Sequence, residues 1–281
     1  DAAERGVKID ITKEAVGDVF EFHLDFLGTK QSTSPTWERF WNNPRIKVRH
    51  ATQGDHAKVY VFDGHTLLLT GMNIADEYRY TWHDYLVEMR GSAFVESYLT
   101  RTPTPESSAA PLQLIMNTEE AKRIRPMMMK LLREAREHVF LEHCYLSDPE
   151  VLDELVALSK RRVRVTILIP ERPDFHHHAN MQSVGYLLAG GKSSHMNILL
   201  YPRFFHSKIL LVDHDTAFMG SANLMKSSLD DMGEVNVLIR GKQRALWKLR
   251  EALRHDTFIS RALSSPPPFL WLSRWLAWLG L

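Results

Sequence analysis

"HSKILLVDHDTAFMGSAN", residues 206–223, sets His206 and Lys208 two apart at the head of an apolar run, then Asp213, then a Gly220-Ser221-x-Asn223 turn. On an extended chain alternate side chains leave the same face, so His206 and Lys208 point together. The arrangement occurs earlier too. "DHAKVYVFDGHTLLLTGMN", residues 55–73, carries His56, Lys58, Asp63 and Asn73. One step of 150 residues takes 56 to 206, 58 to 208, 63 to 213 and 73 to 223. The same step carries Asp84 onto Glu234, Gly91 onto Gly241, "KVYVFD" onto "KILLVD" and "VEMRG" onto "VLIRG". So many coincidences in one register mark an internal repeat.

Around the repeat, 281 residues with 44% apolar and 25% charged content can bury a substantial core in one large domain or two packed ones. The net charge of +1 provides no strong basic field, which speaks against a nucleic-acid partner. The single cysteine, Cys144, cannot form an internal disulfide, fits a reducing compartment and is read as a buried apolar residue. "DAAERGVKIDI" at the start has no charged n-region and no apolar h-region. In the second copy, "REHVFLEHCYLSDPEVLDELVALSKRRVRVTILIP" reads strand, helix, strand, with Val151, Leu152, Leu155, Val156 and Leu158 at helical spacing. The first copy matches only the end of that helix and the second strand, so its first strand and most of its first helix are expected upstream.

Strands are expected near Val7 to Ile11, Lys47 to His50, Lys58 to Asp63 and Leu67 to Leu69, with a variable helical stretch to about Asn42. "RTPTPESSAAP", residues 101–111, has linker composition. It divides a first lobe at 1–100 from a second at 112–264, each of alternating strands and helices around a largely parallel or mixed sheet. "RPMMMKLLREAREH" is expected to be a core-facing helix. The tail at 265–281 is apolar after three prolines, with Trp271, Trp275 and Trp278 three or four apart. It is shorter than the about 20 residues of a membrane span, and either packs on the domain or lies at a membrane interface.

The repeated residues suit a phosphate. Lysine supplies positive charge, Asn and Ser donate hydrogen bonds, and a neutral imidazole can attack phosphorus. Two copies brought together supply two histidines, one as nucleophile and one to protonate the departing alkoxide. Lys58, Lys208, Asn73, Asn223 and Ser221 would surround the non-bridging oxygens. The scheme calls for no metal and no other cofactor.

His56-x-Lys58-x4-Asp63 with Gly71-x-Asn73, and His206-x-Lys208-x4-Asp213 with Gly220-Ser221-x-Asn223, resemble the paired HKD motifs of the phospholipase D superfamily. That resemblance implies an α/β fold of two pseudo-twofold related α/β/α lobes, the first cut at its N-terminus here, with the site between the lobes. It also implies a phosphohistidine, with His56 as nucleophile and His206 as acid and base, or the reverse. In the family an acidic residue at the place of Asp84 and Glu234, each 28 positions after its own copy's histidine, orients an imidazole. Asp63, Asp213, Gly71 and Gly220 are read as holding strands and turns. Gly71 stands where the second copy has Ser221, and Thr70 could substitute for the lost hydroxyl.

The run His176, His177 and His178 is read as a polar loop near the site, and His65, His83, His195 and His214 as turn or surface residues. Within the superfamily, "LLAGG", "YPRFFHSK" and "GMNIADEYRYTWHDYLVEMRG" look most like bacterial cardiolipin synthases. The resemblance implies phosphatidyl transfer between phospholipids, with a phosphatidylglycerol-like substrate, at a membrane surface, on the cytoplasmic face of a bacterial inner membrane. A hydrolytic phospholipase D is the alternative. A nuclease is disfavoured, since it would favour a basic groove.

Overall fold

A computed structural model describes residues 1–14, 39–40, 42–51, 54–102 and 111–265. The chain forms two compact units, Asp1–His56 and Ala57–Leu281. In the first unit, β1 (Ile9–Lys13) and β2 (Ile46–His50) pair in parallel with Ile9 opposite Ile46. Alternation turns Ile9 and Ile11 inward and Asp10 outward, where it meets Arg49 at 2.8 Å.

In the second unit, β3 (Lys58–Phe62), β4 (Thr66–Thr70) and β5 (Leu86–Arg90) form an antiparallel meander, with the short helix α1 (Asp76–Tyr80) between β4 and β5 and α2 (Ser92–Leu99) after β5. Among the described residues the larger sheet has eight strands. They are β6 (Leu112–Asn117), β7 (His138–His143), β8 (Arg164–Pro170), β9 (Met196–Tyr201), β10 (Lys208–Val212), β11 (Thr216–Gly220), β12 (Glu234–Arg240) and β13 (Arg261–Ala262), in the order β13-β9-β8-β7-β10-β11-β12-β6. β7, β8 and β9 run parallel and the remaining pairs antiparallel, a mixed sheet as expected. Helices α3 (Ile124–Glu134), α4 (Pro149–Lys160), α5 (His177–Gly190) and α6 (Arg244–Ile259) complete the unit. Asp148 caps α4 by accepting from Val151 N at 3.1 Å, with Pro149 at the first turn, where its missing N–H costs nothing.

The sheet is apolar on both faces because helices cover one and the meander with α6 covers the other. Leu210 and Val212 of β10 pack with Met128, Leu132, Val151, Leu155 and Val184 from α3, α4 and α5. Ile209 and Leu211 join Leu67, Leu69 and Met89 of the meander and Leu246, Leu249 and Leu253 of α6. Each fully buried aliphatic side chain contributes roughly 1.5–3 kcal/mol.

The sequence repeat is a structural repeat. Val59 pairs Leu69 as Ile209 pairs Met219, and Leu67 pairs Met89 as Ala217 pairs Ile239. Both hairpins turn through an aspartate of positive φ, 52° at Asp63 and at Asp213. In the second copy β7 joins the parallel pair β8–β9 to the meander β10–β12. No strand among the described residues plays that part in the first copy.

Packing divides the chain elsewhere than the repeat does. The boundary expected at 101–111 separates the copies, whereas the compact units separate after His56, because the first copy's meander shares its core with the second copy. Residues 103–110 of that stretch, the tail from 266 and most of the helical stretch before Asn42 lie outside the described residues. No helix among the described residues is long and apolar enough to cross a membrane.

Candidate active site

Two extended segments lie side by side in the second unit. His206 N donates to His83 O at 2.8 Å, and His83 bridges Phe205 in parallel. Successive residues of each segment point to opposite sides, so Asp84 and His206 meet on one of them. His206 Nδ1 is 3.5 Å from Asp84 Oδ2. Lys208, two residues on, turns its Nζ to within 3.0 and 3.1 Å of the two ring nitrogens of His206 and donates to His206 O at 2.7 Å. All of this is dry: His206 is 4% and Lys208 2% exposed. Asp84 Oδ1 accepts from Tyr85 N at 2.7 Å. Burial pushes the Asp84 carboxyl up to about 6, a rise limited by the Lys208 ammonium and the Tyr85 N–H, with the charge of Lys58 acting the same way. Gly71 lies against this pair, and a Cβ there would fall 2.8 Å from Asp84 Oδ2 and 3.2 Å from His206 O.

The histidine partnership therefore crosses the repeat. The carboxylate beside His206 is Asp84 of the first copy and not Glu234 of its own. Glu234 Oε2 accepts from Ser221 Oγ at 2.5 Å and its Oε1 from Ser228 Oγ at 2.5 Å. Ser228 Oγ accepts in turn from Asn223 N, and Asn223 Oδ1 accepts from Cys144 Sγ at 3.4 Å. Gly220 is needed because a Cβ there would sit 2.2 Å from Val235 O on the neighbouring strand. In the first copy Thr70 takes over a serine contact: its Oγ1 donates to Tyr85 O at 2.8 Å, as Ser221 reaches Val235 O at 3.2 Å. Asn73 Nδ2 donates to Tyr78 OH at 3.0 Å, and the Tyr78 ring stands edge-on to His206, centroids 5.1 Å apart. Lys58 opens β3, half-buried, and His56 ends the first unit, half-buried.

Asp213 is away from this cluster. Its carboxylate accepts backbone N–H groups of Glu137 at 2.9 Å, His138 at 3.1 Å and Arg136 at 3.3 Å, clamping the β10–β11 hairpin to the start of β7. Burial works against its ionisation, yet the three N–H donors hold its carboxyl below the ordinary value.

Several partners escaped the sequence reading. Tyr78, Trp82, Tyr145 and Phe204 surround the His206 ring, at centroid distances of 5.1, 6.1, 6.1 and 6.1 Å. The aromatic run "YRYTWHDY", residues 78–85, was the available signal for two of them. Cys144 is buried as expected but polar in its contacts, accepting from Lys208 Nζ at 3.3 Å, and burial pushes its thiol up to about 11. His83 is no ordinary turn residue, since its Nε2 lies 3.1 Å from Asp256 Oδ2. The run 176–178 begins helix α5 instead of forming a loop: His176 takes the left-handed conformation before the first turn, and its ring packs on Tyr145 at 4.9 Å.

A buried imidazole with a carboxylate at one nitrogen and an ammonium alongside can donate or accept a proton while the lysine holds an anion. Residues 128–256 match a family described as "Cardiolipin synthase, PLD-like domain". The chain is 26% identical over 254 residues to cardiolipin synthase 2 of Staphylococcus epidermidis, covering 79% of this chain and 51% of that protein. It is 30% identical over 209 residues to cardiolipin synthase A of Pseudomonas aeruginosa, covering 66% and 42%. The major cardiolipin synthase ClsA of Bacillus subtilis is 26% identical over 251 residues, covering 78% and 50%. The chain thus spans about half the length of the curated relatives it matches. Among solved structures, phosphatidylserine synthase of Haemophilus influenzae superposes with a TM-score of 0.61 at 14% identity, covering 79% of this chain and 66% of the other. Polyphosphate kinase of Porphyromonas gingivalis superposes with a TM-score of 0.57 at 16% identity, covering 94% and 41%. These structural likenesses speak to the fold alone.

Proposed function

Because the chain belongs to the phospholipase D superfamily, on its cardiolipin synthase branch, we propose that it moves a phosphatidyl group from one phospholipid to the alcohol of another through a phosphohistidine. In this reading an imidazole nitrogen of His56 attacks the phosphorus of a phosphatidylglycerol-like donor. As the P–O bond to the headgroup breaks, His206 gives its proton to the departing alkoxide and glycerol leaves. The hydroxyl of a second lipid then loses its proton to His206 and attacks phosphorus, and the P–N bond to His56 breaks. Lys58, Lys208, Asn73, Asn223 and Ser221 bind the phosphate oxygens, and Asp84 orients His206. The protein's own cations carry the phosphate charge, so no metal takes part in the scheme.

The observation that carries the reading is the buried trio of His206, Lys208 and Asp84. The aromatic enclosure of His206 favours transfer over hydrolysis, because it limits the access of water to the base that would activate it. The lipid substrate requires the chain to work at a membrane surface; in this reading that surface is the cytoplasmic face of a bacterial inner membrane, with the Trp-rich tail at 265–281 as one point of contact.

Incubating the protein with phosphatidylglycerol vesicles and separating the products tests this directly. Cardiolipin with an equal amount of glycerol is expected. Phosphatidic acid alone would convert the reading to hydrolysis, and no change in the lipid would end it.

A further inference from the structure

The segments that send Asp84 and His206 to one side send His83 and Ser207 to the other. Ser207 Oγ donates to Glu142 Oε1 at 2.6 Å. His83 Nε2 lies 3.1 Å from Asp256 Oδ2, which also accepts from Tyr85 OH at 3.0 Å. One ligand atom each of His83, Glu142 and Asp256 fall within 4.8 Å of one another. Glu142 is fully buried and Asp256 is 3% exposed. Glu142 Oε2 is buried with no hydrogen-bond partner. Two carboxylates enclosed together, one of them with a bare oxygen, are costly to bury unless a positive charge stands between them. The His83 ring is already engaged by Asp256.

We propose that His83, Glu142 and Asp256 bind one divalent cation of the zinc class, on the side of the His206 segment opposite the catalytic trio. One imidazole nitrogen with two carboxylate oxygens suits zinc or a neighbouring first-row metal better than calcium or magnesium, which prefer all-oxygen shells. The outer shell is present: the hydroxyl of Ser207 holds the other oxygen of Glu142, and that of Tyr85 steadies Asp256. The three ligands come from β7, from the segment before β5 and from α6, so the ion ties together elements distant in sequence. It takes no part in the phosphorus chemistry. It is a positioning site that fixes the backbone from which Asp84 projects, and it stands independently of the reaction proposed above.

The full chain, stripped with EDTA and then freed of it, is titrated with Zn2+ alone. One equivalent is expected to bind, and at a hundredfold excess over the dissociation constant the thermal midpoint rises by about 5–10 °C. His83→Gln and Glu142→Gln should each lose the tight equivalent and the thermal increment, while His177→Gln with His178→Gln keeps both. Co2+ in place of Zn2+ should give visible d–d bands without a sulfur charge-transfer band, which separates this site from Cys144. If Glu142→Gln does not fold, the wild-type stoichiometry, the cobalt spectrum and His83→Gln decide. Failure of the stripped wild type to bind an equivalent would overturn the proposal, as would undiminished binding by His83→Gln.

Discussion

Gly71 is the residue at which one added carbon bears directly on the carboxylate beside His206. A methyl group there would come within 2.8 Å of Asp84 Oδ2, and the backbone carbonyl of His206 at 3.2 Å blocks the other escape. Asp84 must then move away from the His206 ring. A displacement of about 1 Å in a positioning group costs on the order of 10²-fold in rate. Gly71→Ala is therefore expected to lose about that much kcat on phosphatidylglycerol vesicles, with only a small fall in thermal midpoint. Asp84→Asn keeps the shape and removes the charge, and should lower kcat by about 10²–10⁴-fold with KM changed only a few-fold. Steady-state kinetics with both variants checks the pair, and unchanged kcat in Asp84→Asn would take this carboxylate out of the reaction.

Asp213 belongs to the scale of the element, because its carboxylate collects N–H groups from Arg136, Glu137 and His138 and so fastens a hairpin to the strand beside it. Asp213→Ala leaves these donors without that acceptor and sets alanine in the left-handed conformation, φ 52°, for a cost of about 1–3 kcal/mol. The pH dependence has a definite sign. The folded carboxyl titrates below its ordinary value of 3.8, so its stabilisation is complete above that value and is lost as pH falls through the lowered one. Urea unfolding across that acid range should show a steeper loss for the wild type than for Asp213→Ala. This element was legible in the sequence because a hairpin is local: the alternation "KILLVD", the aspartate at the turn and the 150-residue step gave strands, turn and register together. The cross-repeat partnership of Asp84 with His206, and those of Glu142 with Ser207 and His83 with Asp256, carry no period and no motif. They arise only when distant segments pack, and for the same reason the packing boundary after His56 could not be read from composition at 101–111.

At the scale of the whole molecule, the proposed reaction assigns two histidines from two copies of one sequence unit to a single phosphorus. If His56 and His206 act as one device, His56→Ala and His206→Ala should each lower transfer by about 10⁴-fold or more, and the double variant should lose little beyond either. Multiplicative losses would mean separate sites. The roles can be separated through the leaving group. A glycerol alkoxide needs a proton as it departs, whereas a nitrophenolate does not, so the acid becomes dispensable for the first step once the headgroup is p-nitrophenol. His206→Ala should then release about one equivalent of nitrophenol per protein in a burst and stall, because the base for the second step is missing and the P–N bond persists. His56→Ala should give no burst at all. The opposite pattern would exchange the two roles, and the absence of a burst from both variants and from the wild type would remove the covalent intermediate from the proposed reaction.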